Sequence, residues 1–150
     1  MSTRKSVLIV DDDETICKTI SLILEEVGFK TDFVLNGREA IEKTRTGYYD
    51  VALLDIKLPD MEGTHLLRAI QKLTPNTVKI ILTGFPELRT SIDALNWGAD
   101  AYLLKPINPA EIIETIEEKL EKVEEDKTIN EKKISAFLAE RAKKLLAESK

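Results

Sequence analysis

Short apolar runs and stretches of helical periodicity alternate along the chain. Val7-Leu8-Ile9-Val10 is unbroken by polar residues, as expected of a strand buried on both faces. Ile16, Ile20, Ile23, Leu24 and Val27 then recur at helical spacing, and Gly28 supplies a stop. Lys30 to Leu35 predicts a second strand. Asn36 and Glu39 form a capping box that opens a helix through Ala40, Ile41 and Thr44 to Gly47. Asp50 to Asp55 is a third, buried strand. Leu66, Leu67, Ile70 and Leu73 mark a helix stopped near Pro75. Val78 to Leu82 is the fourth strand, and a helix through Ile92 and Leu95 ends at Gly98. Ala101 to Leu104 is the fifth strand. Asn108-Pro109-Ala110-Glu111 opens the last helix with an N-cap, a proline at the first helical position and an acid.

Strand followed by helix, five times over, predicts a parallel sheet covered on both faces, a doubly wound α/β fold. Residues 5 to about 120 fill it. In such sheets the binding edge lies beyond the carboxyl ends of the strands. Asp11, Asp12 and Asp13 follow the first strand and Asp55 ends the third. Thr83 follows the fourth and Lys105 the fifth. Each has a bland reading alone: a helix-capping acid, a solvated strand end, a turn hydroxyl, a surface cation. Together they suit phosphoryl transfer. Carboxylates hold Mg²⁺, one carboxylate can be a nucleophile, and a hydroxyl and an ammonium can bind the transferred oxygens.

Bulk properties narrow the setting. A chain of 150 residues, 43% hydrophobic and 33% charged, is globular rather than disordered. Its net charge of −5 argues against direct nucleic-acid binding. One cysteine, Cys17, excludes an internal disulfide framework and fits a reducing, cytoplasmic setting. The N-terminus is too short in apolar residues for a signal peptide, and membrane insertion is not expected. His65 is the single histidine, read as a solvated helix residue.

Four motifs carry a family resemblance: Leu8-Ile9-Val10-Asp11-Asp12-Asp13, Leu53-Leu54-Asp55-Ile56-Lys57-Leu58-Pro59, Leu82-Thr83-Gly84 and Tyr102-Leu103-Leu104-Lys105-Pro106. With them the chain resembles the receiver domain of two-component response regulators, over its first 120 or so residues. The resemblance implies a flavodoxin-like sheet of five parallel strands in the order 2-1-3-4-5, with five helices. It implies a phosphoacceptor switch, not a turnover enzyme. Asp55 would take the phosphoryl group from a histidine kinase. Asp12 would bind Mg²⁺ directly and Asp11 through a water, with Asp55 and the Lys57 backbone carbonyl completing the site. Lys105, after an expected cis peptide to Pro106, would pair with the phosphoryl group. Thr83 and Tyr102 would be the switch pair, and the fourth helix, fifth strand and fifth helix (the α4-β5-α5 face) would meet a downstream protein. Asp13 reads as a helix start. Lys57 and Phe85 border the route of attacking water, which predicts slow self-dephosphorylation. Gly84 leaves the pocket mouth open to a donor, and Trp97 reads as a packed helix residue.

The receiver is expected to span residues 1–122 and a helical extension or linker 123–150. Ile113, Ile116, Leu120 and Val123 follow a heptad-like spacing that Lys127 and Asn130 break. Ile134, Phe137, Leu138, Leu145 and Leu146 resume it. The tail could pair with a second copy, fold back on the receiver, or lead to a domain of a larger regulator or kinase. A rival reading takes Asp11 and Asp13 as nucleophile and acid/base of a haloacid-dehalogenase-type phosphatase. Those enzymes need a further acidic motif after their lysine, and Pro106-Ile107-Asn108-Pro109 stands there instead. A purely structural dimerisation module would have no use for the joint acid, Thr and Lys set.

Overall fold

The computed structural model describes residues 4–84 and 98–148. Five parallel strands form one sheet in the order β2-β1-β3-β4-β5. They are β1 (Ser6–Val10), β2 (Lys30–Val34), β3 (Val51–Asp55), β4 (Val78–Thr83) and β5 (Ala101–Leu104). Helices α1 (Glu14–Glu26), α2 (Gly37–Thr46) and α3 (Gly63–Leu73) connect the first four strands, and a C-terminal helix runs from Pro109 to Glu148. The expected helix through Ile92 and Leu95, with Phe85 and Trp97, lies outside the described residues.

The apolar runs are buried because both faces of the sheet are covered. Alternate residues of each strand point to opposite sides. Val7, Ile9, Leu53, Ile80 and Leu82 pack with Cys17, Ile20 and Leu24 of α1 and with Ile112 and Ile116 of the C-terminal helix. Leu8, Val10, Leu54 and Ile81 pack with Ala40 of α2 and with Leu66, Leu67 and Ile70 of α3. Helices on both faces leave the sheet's carboxyl edge as the open rim.

Local chemistry fixes the helix ends. The Asp13 carboxylate accepts from Thr15 and Ile16 N–H and starts α1, as expected. Gly28, at φ 102°, follows the end of α1 in a conformation that favours glycine. Asn36 Oδ1 accepts from Glu39 N–H and caps α2. Asn108 Oδ1 accepts from Ala110 N–H at the start of the C-terminal helix. That helix runs unbroken for 40 residues through the acidic stretch at 124–126 and through Lys127 and Asn130. Glu and Lys have high helix propensity, so a solvated charge run extends a helix readily.

Candidate functional site

Four strand ends deliver the candidate residues to one rim. Asp11 follows β1, Asp55 and Thr83 are the last residues of β3 and β4, and Lys105 follows β5. Asp11 and Thr83 are fully buried, and Asp55 is 8% exposed. Asp12, one residue further from the strand, is exposed. One carboxylate oxygen from each of Asp11, Asp12 and Asp55 falls within 4.8 Å of the others. The three acids of the proposed metal site are therefore together, and Asp13 points away to cap α1.

Lys105 is the cation of the cluster. Its Nζ donates to Asp11 Oδ2 at 2.8 Å and lies 3.6 Å from Asp55 Oδ2. Burial works against its charge, but the Asp11 hydrogen bond and the two carboxylates prevail and hold its proton affinity above that of an ordinary lysine. The Lys105–Pro106 peptide is cis, and Lys105 N–H donates to the Thr83 carbonyl at 2.8 Å, which joins the ends of β4 and β5.

Asp55 is pulled in two directions. Desolvation raises its pKa above the ordinary 3.8. The Lys57 N–H, donating to Oδ1 at 3.2 Å, and the Lys105 charge oppose that, while Asp11 and Asp12 add to it. The net effect is upward. The donor set fits Mg²⁺, a hard cation that takes oxygen ligands and few carboxylates. Buried acids crowded this closely gain from an added positive charge. Cys17 lies beneath, its Sγ 3.4 Å from the Asp11 carbonyl, and burial pushes the thiol up to about 12. It is an inert packing residue. His65 is exposed on α3, away from these acids in the chain and as expected of a solvated residue.

The loop after Asp55 is built to hold its shape. Gly63 N–H donates to the Ile56 carbonyl at 2.7 Å, and Lys57 bridges Glu62. A Cβ on Gly63 would lie 2.6 Å from Ile56 Cα and 2.7 Å from the Asp55 carbonyl oxygen. Only glycine lets α3 start that close to the acceptor strand. At the loop's tip, Asp60 accepts from Gly37 and Arg38 N–H, both at 2.9 Å, and so caps α2 jointly with Asn36. These two backbone bonds hold the Asp60 carboxyl below its usual range. Met61 packs over Gly37, where a Cβ would strike it. Sequence reading missed this clamp; an Asp in a Pro-Asp-Met-Glu-Gly loop signals only a turn.

Tyr102 packs on the α2–α3 side of the sheet with its hydroxyl shielded from solvent. Beside Lys105, an apolar groove of about 260 Å³ runs between α1 and the turn after β5, lined by Ile16, Ile20, Ile23, Pro106 and Ile107. No described helix is long and apolar enough to cross a membrane.

Comparison with known proteins agrees with this geometry. Residues 7–117 match the profile described as "Response regulator receiver domain". The cell cycle transcriptional regulator CtrA of Caulobacter vibrioides is 36% identical over 110 residues, 73% of this chain and 48% of that protein. The transcriptional regulatory protein ZraR of Klebsiella oxytoca is 32% identical over 114 residues, 76% of this chain and 26% of its own length. The chain thus spans half or less of these relatives. Among solved structures, a CheY-like receiver domain protein from Methanospirillum hungatei is 44% identical with a TM-score of 0.79, covering 83% of this chain and 99% of that one. The chemotaxis regulator CheY4 of Vibrio cholerae is 29% identical with a TM-score of 0.69, covering 81% and 99%.

Proposed function

The chain belongs to the response regulator receiver domain family, and on that premise we propose that Asp55 is its phosphoacceptor and a histidine kinase its donor. Receiver domains are signalling phosphoacceptors rather than turnover enzymes. The observation that carries the assignment is the buried Asp55 carboxylate set among Asp11, Asp12 and Lys105 at the open rim. In the transfer, an Asp55 carboxylate oxygen attacks the phosphorus of a phosphohistidine. The new O–P bond forms as the N–P bond breaks. The imidazole nitrogen keeps that electron pair and takes a proton from solvent.

Receiver domains bind Mg²⁺ through acidic residues. Here Asp12, Asp55, the Lys57 carbonyl and, through a water, Asp11 would hold it. When bound it supplies positive charge to the transferring oxygens. Lys105 would turn from Asp11 toward the phosphoryl oxygens, and the Thr83 hydroxyl would donate to another. The apolar groove beside Lys105 offers a kinase a grip next to the acceptor. We take the receiver unit to end near Val123, the last side chain of the C-terminal helix packed on the core.

The readout we propose is a shift between two states that differ in their contacts to the phosphoryl group. Thr83 moves toward it, Tyr102 occupies the space behind, and the face formed by β5, the C-terminal helix and the expected helix before β5 meets a downstream protein. Borohydride reduction of the phosphorylated chain tests the acceptor, because it converts an aspartyl phosphate to homoserine. Homoserine at position 55 supports the reading. Homoserine at position 11 would favour the phosphatase alternative.

A further inference from the structure

The turn from β2 into α2 holds the one Asn–Gly pair in the chain, Asn36–Gly37. The other asparagines precede threonine, tryptophan, proline and glutamate. An Asn–Gly pair is chemically labile in an unfolded chain. The backbone nitrogen after the asparagine can attack the side-chain amide carbon, and glycine has no Cβ to obstruct ring closure. In the fold, Asn36 is partly exposed and Gly37 is buried. The local geometry holds the reacting atoms apart. Asn36 is extended, at φ −151° and ψ 168°. Its Cβ and the Gly37 nitrogen are therefore staggered about the Cα–C bond, where a succinimide ring needs them nearly eclipsed. Asn36 Oδ1 accepts from Glu39 N–H at 2.9 Å, which pins the amide over the first turn of α2. The Gly37 N–H donates to Asp60 Oδ1, also at 2.9 Å. An anionic acceptor makes loss of that proton harder. Met61 then covers Gly37, where a Cβ would strike its side chain. Two of these restraints, Asp60 and Met61, come from the loop after Asp55 rather than from the turn itself.

We propose that Asn36–Gly37 is a site of spontaneous deamidation that the Asp60–Met61 loop keeps closed, and that it reacts only in molecules whose loop has lifted. With the loop away, the Gly37 N–H loses its acceptor and the Asn36 backbone is free to turn. The Gly37 nitrogen gives its proton to solvent and attacks Asn36 Cγ. The N–C bond forms as the Cγ–Nδ2 bond breaks, and the amide group takes up a proton and leaves as ammonia. Water then opens the succinimide at either carbonyl, giving aspartate or isoaspartate at position 36. The two products differ in consequence. Aspartate is as good an N-cap as asparagine, so α2 starts as before. Isoaspartate places an extra methylene in the main chain ahead of Gly37. That shifts the Gly37 and Arg38 N–H groups off the Asp60 carboxylate, and the loop beside the acceptor strand loses its hold on α2.

This inference does not depend on whether Asp55 carries a phosphoryl group. The parent chain, Asp60→Ala, Met61→Ala and Ile20→Val are aged at neutral pH. Peptide mapping follows aspartate and isoaspartate at position 36, and parent held in urea gives the rate of the unfolded chain. The folded parent should react roughly tenfold or more slowly than the urea sample, because reaction waits on a local opening. Asp60→Ala and Met61→Ala, shown to be folded by circular dichroism, should each react several-fold faster than the folded parent. Ile20→Val, a mild core truncation on the other face of the sheet, should keep the parent's rate. If Asp60→Ala does not fold, Met61→Ala carries the comparison. A folded parent as fast as the urea sample, folded loop variants at the parent's rate, or Ile20→Val as fast as the loop variants would each overturn the proposal.

Discussion

Lys105 Nζ lies 2.8 Å from Asp11 Oδ2, closer than the 3.6 Å that separates it from Asp55, the proposed acceptor. The cation that is to serve the phosphoryl group is thus held by a neighbouring acid, itself fully buried. Replacing Asp11 with Asn removes that partner. Lys105 in Asp11→Asn should titrate at lower pH than in the parent, which NMR of the lysine side chain would follow. Phosphorylation should slow at least tenfold, about 1.4 kcal/mol of barrier.

Asp55 predicts a pH-dependent stability. Burial raises its proton affinity in the folded chain above the ordinary carboxyl value. Such a group favours the fold while protonated, and that advantage is lost as pH rises through the raised range. At neutral pH its ionised form therefore costs stability. Asp55→Asn should melt about 3 °C higher than the parent at pH 7, with the gap closing as pH falls toward 3.8. Mg²⁺ should narrow the gap by stabilising the parent, by about 2.7 kcal/mol at a hundred times its dissociation constant. Calorimetry with and without Mg²⁺ reads both effects.

The loop after Asp55 should be intolerant at Gly63. A methyl group there meets the backbone of Ile56 and the Asp55 carbonyl, which cannot rotate away. Gly63→Ala should cost about 1–3 kcal/mol in urea unfolding and slow phosphorylation by displacing the acceptor strand. Asp60→Ala should act more gently, lowering the melting temperature and weakening Mg²⁺ binding severalfold as the loop loses its hold on α2. Because the Asp60 carboxyl is held below its usual range by the Gly37 and Arg38 N–H groups, its contribution is present above the ordinary carboxyl range. It is lost as pH falls through the lowered value. The difference between parent and Asp60→Ala should fade in acid.

The donor groove makes a separable prediction. Ile16 lines it beside Lys105 and lies outside the acid cluster. Ile16→Glu should slow transfer from a phosphorylated kinase at least tenfold and leave labelling by a small acyl phosphate unchanged. Equal rates from the kinase with both proteins would remove the groove from the account.

Lys57 bears on lifetime. Its side chain is exposed two residues after Asp55, where it can shield the acyl phosphate from water. Lys57→Asn should shorten the phosphoryl half-life by about tenfold, ~1.4 kcal/mol of barrier. A parent half-life of seconds, without a phosphatase, would contradict slow self-dephosphorylation.

Much of this was legible in the chain itself, for a physical reason. Strands buried on both faces read as unbroken apolar runs, so β1, β3 and β4 and the polar residues at their ends stand out. The resemblance then supplied the strand order. Relationships between distant residues were not legible. Asp60 caps a helix 23 residues earlier, and nothing in either local pattern signals the link. Lys79 sits in the middle of an apolar run, yet it is 2% exposed and donates back to the Thr77 carbonyl at 2.6 Å. A charge run such as 124–126 either ends a helix or merely exposes it, because solvent exposure and termination share a polar signature. Here it is continuous helix, and Glu124 lies 3.6 Å from Lys5.

Intact mass is the most direct measure of the central claim. The parent chain and Asp55→Asn are incubated with a small acyl phosphate, each with Mg²⁺ and with EDTA. The account predicts one added phosphoryl group on the parent with Mg²⁺, little with EDTA, and none on Asp55→Asn. Equal labelling of both proteins, or a folded, Mg²⁺-binding parent that takes no label, would contradict it.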